Sequence, residues 1–419
     1  MGARGAAGLV AVLGIGQLWV PVVAPALADR PPQLIAEPSP TRAVEPCLQF
    51  GPGFVRQPGT GTCLRISGQV EVSQKAGFGQ QDLFAETTYV TGEPFIIYDL
   101  VPAEDDVGAF ETDAIVTFTS ATETENGPLL GVLSLRGTLE PESDDTIFVD
   151  KAFVQLAGFT AGRLGSFFDF SPGLSYTAGY ASNAITDLVA YTHRFGERGS
   201  LTVSLEDDAA RRAEEGVWAL RGSRTLPNLV VAARIDDPRR GAAQLSAALI
   251  HLSDDRQTEC CGVPEDELGF AVSAGLEYRT KIAGRFGRFI VSGAYAEGGV
   301  SYLGGLPFAS DYLVDGDGTL VKTRGYSLLA SYEHVWRNDL KSTATVSGIS
   351  LATKANTLEW KPSGILASLG SEYMPAPGLQ VGLDGSYYVD IGKADYYGVE
   401  GETSRADLFK LTAYARRLF

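Results

Sequence analysis

The 419 residues read as an all-β chain, a single 16-stranded antiparallel transmembrane β-barrel. Three observations predict this. The segment from Arg405 to Phe419 alternates apolar with polar side chains and ends on an aromatic, as the closing strand of an outer-membrane barrel does at the lipid–water boundary. About sixteen strand-like segments are joined by connections that are alternately long and short, the mark of an up-and-down barrel with tight turns on one side. An export leader opens the chain, and after it no apolar run reaches the ~18 residues that a membrane helix needs.

The leader comes first. Arg4 precedes an apolar run from about Ala6 to Ala24, and Ala26-Leu27-Ala28 offers a small-x-small cleavage site. That is the pattern of a Sec signal peptide spanning residues 1–28. The competing reading is an uncleaved anchor helix, which Pro21 and Pro25 interrupt near its end. Loss of Arg4, the one charged side chain of residues 1–28, takes the formal charge from −17 to −18. Such acidity argues against nucleic-acid partners, which need basic stripes. A soluble chain this long would ordinarily divide into domains; a large barrel avoids the division because its interior is water.

Residues 29–46 are Pro-rich and read as an extended spacer. The barrel unit then runs over 47–419. Cys47 and Cys63 bracket a Gly/Pro-rich loop that a disulfide would close in an exported chain. Cys260 and Cys261 are adjacent, and either a vicinal bridge or separate contacts are open to them. The strand-like segments lie at 64–74, 111–124, 129–138, 147–157, 158–165, 186–195, 200–207, 228–236, 242–251, 268–280, 287–297, 323–336, 340–352, 364–374, 379–390 and 405–419. In one of them Leu379, Val381, Leu383 and Tyr387 oppose Gln380, Asp384, Ser386 and Asp390. The long connections include 75–110, 166–185, 208–227, 298–322, 353–363 and 391–404. The short ones lie near Asn126-Gly127, Ala157-Gly158, Gly196–Gly199, Asp237–Gly241, Lys281–Phe286, Arg337–Asp339 and Pro375–Gly378.

Two motifs carry a family resemblance. Cys47-Leu-Gln-Phe-Gly-Pro-Gly-Phe54 running through to Cys63-Leu-Arg-Ile-Ser-Gly68 is similar to the mature start of alphaproteobacterial outer-membrane porins of the Rhizobiales and Brucella type. So is Ala152-Phe-Val-Gln-Leu-Ala-Gly-Phe-Thr160, running into Gly162-Arg163 and Ser166-Phe-Phe-Asp169. Weaker echoes span most of the mature chain. The resemblance implies a homotrimeric general-diffusion porin of the outer membrane, passing small hydrophilic solutes and ions, whose third external loop folds into the lumen. Outer-membrane lipid and lipopolysaccharide would be its surroundings.

In such a channel a constriction and its focused charge select what passes. The stretch from Ser166 to Asp187 is long enough to fold inward; its acids are Asp169 and Asp187, and it has no base. Candidate cations facing it are Arg65, Arg136, Lys151 and Arg163, on strands one, three, four and five. The bland reading is that Phe167, Phe168, Phe170 and Tyr176 pack the loop while the arginines hold it by hydrogen bonds. A preference for cations is the expectation. The acidic loop from Asp311 to Asp317 lacks the spacing and terminal Glu of a calcium site, so no metal or cofactor is expected. No catalytic motif appears, and the chain does not read as an enzyme. Two further readings remain at this point: a sealed structural or adhesive barrel acting through its loops, and a secreted β-rich binding protein.

Overall fold

The computed structural model describes residues 45–419 apart from 91–92, 103–106, 140–145, 208, 212–225, 254–265, 305–309, 315–318, 356–357 and 397–398. The leader, nearly all of the Pro-rich spacer and the Cys260–Cys261 pair lie outside the described residues. So do most of 208–227 and of the acidic loop after Val314.

Sixteen antiparallel strands close into one barrel. They are β1 (Cys63–Val90), β2 (Val107–Thr124), β3 (Gly127–Leu139), β4 (Thr146–Leu156), β5 (Phe159–Gly165), β6 (Ile185–Phe195), β7 (Gly199–Glu206) and β8 (Asn228–Asp237). Then come β9 (Gly241–Leu252), β10 (Glu267–Ile282), β11 (Arg285–Glu297), β12 (Arg324–Arg337), β13 (Leu340–Ala355), β14 (Ser363–Ala376), β15 (Leu379–Tyr396) and β16 (Val399–Leu418). Each expected strand is present. β1 closes the ring by pairing with β2 on one edge and with β16 on the other. At the seam Gly68 and Phe419 exchange two backbone hydrogen bonds of 2.9 and 3.1 Å.

Alternation sorts the side chains into two faces. Outward-facing residues such as Val189, Leu245, Val272, Leu328, Ile365 and Leu369 are large, apolar and exposed. That suits lipid, where a charge is costly. Their neighbours Ser204, Ser246, Ser327, Thr345, Ser368 and Thr412 are buried on the other face. Seven short turns hold one end, and two are tight enough to need positive φ at both central positions. Ala157 and Gly158 stand at φ 51° and 88°, and Ala283 and Gly284 at 52° and 77°.

Two of the long connections are shorter than expected because strands continue through them. β1 runs on to Val90 and pairs there with a strand at Glu93–Pro102. β15 and β16 pair up to Tyr396↔Val399, leaving 397–398 between them. Backbone pairing needs no apolar face, so ladders outside the lipid band lack the alternation by which strands are recognised. The wall is uneven: β5 has 7 residues and β7 has 8, against 18 in β15 and 20 in β16.

Below Gly68 the edge of β1 that β16 leaves bare is taken by Val55–Arg56, which pairs with Cys63 and Leu64. Cys47 and Cys63 form the expected disulfide, with Cα atoms 6.2 Å apart. Around it Phe54 and Ala121 are buried, with Phe50 and Leu130 packed against them.

The interior is not hydrated throughout. Ile250, Leu252, Ala271, Ile349, Leu351 and Leu366 are buried and form a core with Phe168, Tyr302, Leu303 and Tyr312. Ile250 and Leu366 alternate with outward-facing Leu249 and Ile365, so this core lies on the inner face.

Candidate functional site

The remaining inner wall carries a row of ionic side chains. Glu333 on β12 takes Arg288 of β11 at 3.3 Å and Lys341 of β13 at 3.6 Å. Lys341 also reaches Glu372 of β14 at 3.2 Å, which accepts a 3.1 Å hydrogen bond from the Tyr414 hydroxyl of β16. Arg416 lies 5.1 Å over the Tyr414 ring and binds Glu71 of β1 at 2.6 Å. On β2 Asp113 receives Arg136 of β3, through Nε at 2.8 Å and through Nη2.

Register explains the order. Glu71 and Asp113 are direct cross-strand partners, and like charges so placed repel. Arg416, opposite Glu71 on the other side, and Arg136 each neutralise one of them. Exposure is unequal within the pairs. The Glu71, Asp113, Glu333 and Glu372 side chains are 8–11 % exposed, whereas Arg416, Lys341 and Arg136 are 23, 36 and 42 % exposed. The carboxylates sit behind and the cationic heads stand in front. A cavity of about 450 Å³ opens before them.

Facing the row is the connection between β5 and β6. Three hydroxyls on it donate to wall carboxylates at 2.7 Å each: Tyr176 to Glu71, Thr177 to Asp384 and Tyr180 to Asp390. Tyr176 also stacks on Tyr414 at 4.7 Å. The Leu174 and Tyr180 amides donate to Ser331 and Ser347 at 2.9 Å. All of these wall partners lie on the strand face opposite the apolar one. Gly179 is required by this approach, because a Cβ there would stand 2.7–3.0 Å from Leu329 and Ser347. Burial, then the hydrogen bond to Glu71, pushes the Tyr176 phenol above its ordinary range, and burial followed by the Asp390 charge does the same to Tyr180. Both remain neutral donors.

The root of this loop is held separately. Glu206, fully buried, accepts from the Ser166 hydroxyl at 2.6 Å and the Phe167 amide at 3.0 Å. Asp169 accepts from the Ser182 hydroxyl, from the Ala184 amide at 2.6 Å and from Arg211 at 3.1 Å. Gln244 Nε2 donates to the Phe167 and Asp169 carbonyls.

The candidate residues therefore fall in different places. Arg136 joins the row. Lys151 stands opposite buried Ser134 on the inner face, 4.0 Å from Asp150. Arg65 faces the disulfide-closed segment, 4.8 Å over the Phe54 ring. Asp169 belongs to the loop root. Arg163 and Asp187 bridge each other at 3.3 Å, but they share the face of exposed Phe159, Val189 and Tyr191, the outward one. Sequence reasoning did not single out Glu71, Glu333, Lys341, Glu372 or Arg416. Each sits on the polar phase of its strand, and that phase was the available signal.

A closed sixteen-strand barrel with an apolar exterior and a charged inner wall has known counterparts. A family model described as "Porin subfamily" matches residues 33–410. The chain belongs to the porin subfamily. It is an outer-membrane β-barrel. Outer membrane protein IIIA of Rhizobium leguminosarum bv. viciae is 28% identical over 184 residues, 44% of this chain and 43% of that protein. The outer membrane protein y4fJ of Sinorhizobium fredii is 31% identical over 146 residues, 32% of this chain and 36% of that protein. The matched regions thus span less than half of either relative. Among solved structures, the outer membrane channel DcaP of Acinetobacter baumannii shares the fold, with a TM-score of 0.65 at 15% identity, covering 87% of this porin and 99% of that chain.

Proposed function

We propose that this porin is a passive diffusion channel for small hydrophilic solutes and ions, narrowed where the 166–184 loop faces the ionic row. The observation that carries the reading is that row, with the cavity of about 450 Å³ before it and hydroxyl donors across from it. A transverse arrangement of fixed charges and dipoles orders water and disfavours apolar solutes. Arg65, Arg136 and Lys151 share the inner strand face, with Arg65 covered by Phe54. Arg163 and Asp187 are better placed to meet the membrane or a neighbouring subunit.

The exposed members of the row are cations, so an ion in the lumen meets guanidinium and ammonium heads first. That favours a weak preference for anions, opposite to the preference for cations expected with the 166–187 stretch. Three barrels associating through part of their apolar exterior would form a homotrimer, with lipid and lipopolysaccharide covering the rest. The apolar core inside the barrel favours one other reading, a sealed barrel acting through its external loops.

Single-channel current in a planar lipid bilayer separates the two. The expected record is ohmic steps in three equal sublevels, with a reversal potential on the anion side in a salt gradient. Stable insertion without current would establish the sealed barrel, and a cation-side potential would overturn the selectivity.

A further inference from the structure

The connection between β11 and β12 is unusual for a loop at the mouth of a channel. Val300, Tyr302, Leu303 and Tyr312 are 0–2 % exposed. They pack on Ile250, Leu252, Ala271, Ala296, Ile349 and Leu366, the inner-face side chains of five strands from β9 to β14. Where the wall is polar, the third loop approaches it through hydroxyls and backbone polar groups. Here the wall itself is apolar, complementary to the segment that covers it.

The segment is pinned as well as packed. The Ser301 amide and hydroxyl donate to Asp311 at 2.8 and 3.0 Å, tying its two limbs together. Asn228 donates to the Tyr302 hydroxyl at 3.0 Å, and the Tyr312 hydroxyl donates to the Ser253 carbonyl at 3.0 Å.

It also meets the third loop directly. The Tyr302 ring lies edge-on to Phe168 at 4.8 Å and beneath the Arg211 guanidinium at 3.9 Å. Gly304, at φ 89°, approaches so closely that a Cβ there would stand 2.4 Å from the Ala181 backbone. Arg211 bonds Asp169 at the same time, so one buried cation joins the two loops.

We propose that the described part of this β11–β12 connection, 299–304 and 310–314, is a second fixed constricting element. It fills the outer part of the lumen against β9–β14, backs the 166–184 loop so that it cannot swing away from the row, and confines solutes to the charged side of the wall. Size selection then belongs to two loops acting as one partition. The inference rests on the channel reading above and adds a specificity determinant to it. Packed interiors have discrete arrangements and do not deform continuously, so the partition holds a set width.

The test replaces residues 300–322 by a short Gly/Ser linker in the full-length porin. Single-channel conductance and liposome uptake of mono-, di- and trisaccharides are then compared with the unaltered protein. Conductance is expected to rise at least about twofold, with the larger sugars admitted and ion preference weakened. A variant that folds into the detergent-resistant form and keeps the original conductance and size limit overturns the proposal. Should that variant not fold, Tyr302→Ala serves instead, with noisier and larger current expected. Current identical to the original overturns the proposal there too. An unaltered protein that is silent beside a conducting variant would sink the open-channel reading while supporting the partition. Silence in both overturns both.

Discussion

The two sides of the inner wall are built on different physics. From β8 to β14 the outer half is a core: apolar side chains from wall and loops interlock, as in a soluble domain. Nearer the short turns of β11–β13, and from β14 through the seam to β3, the wall is ionic, with carboxylates recessed and cations in front of them. Apolar packing is non-directional and grows with buried area, so the first side is suited to holding loops in place. Ion pairs in partial contact with water contribute little to stability, so the second side is available for selection. One side fixes the partition and the other faces the solute.

Substitutions on the two sides should accordingly report on different observables. The largest stability effect is expected on the packed side. Phe168→Ala removes a ring that is 1 % exposed and should cost about 3–5 kcal/mol. The folded form would then yield to sodium dodecyl sulphate at clearly lower temperature, with the sign of selectivity unchanged. Glu71→Gln comes next. It leaves Arg416 without its carboxylate and weakens the anchor of Tyr176, for a cost of about 1–3 kcal/mol. Its reversal potential should move further toward anions; a shift toward cations would refute the recessed-acid picture. Lys341→Gln should change stability by less than about 1 kcal/mol, yet reduce anion preference in the same assay. That preference should fade between 0.1 and 1 M salt as the screening length falls from about 10 to 3 Å. Arg163→Ala is expected to be the smallest, within about 0.5 kcal/mol and without effect on conductance, because its pair with Asp187 faces outward.

The comparison also explains what could be read beforehand. Strand positions followed from alternation, since lipid demands an apolar face from every strand that crosses it. Beyond the lipid that demand lapses, which is why the continuation of β1 to Val90 and the pairing around Tyr396 were not visible. The ionic row was half visible. Asp384 and Tyr414 alternate with apolar or small neighbours, but that Arg416 meets Glu71 depends on register across the seam between residues 345 apart in sequence. Strand order alone does not give a cation its face; Arg163 sits one residue from the inward phase of Thr160 and Gly162. The packed side left a plainer trace. A loop containing Val300, Tyr302, Leu303, Tyr312 and Leu313 is too apolar to stand in water, and that excess is its signature.

The uneven height of the wall has a consequence for the surrounding bilayer. Seven residues of β5 rise roughly 24 Å along the strand, and a tilt of about 40° leaves less than the ~25 Å of a typical apolar band. The seam strands, 28 residues in β1 and 20 in β16, exceed that band roughly two- to threefold at the same tilt. A membrane meeting the low flank must thin toward it, at a cost that accumulates with each ångström of mismatch, or give way to protein of matching height. The barrel thus presents a preferred side for company, and the outward Arg163–Asp187 pair stands on that side.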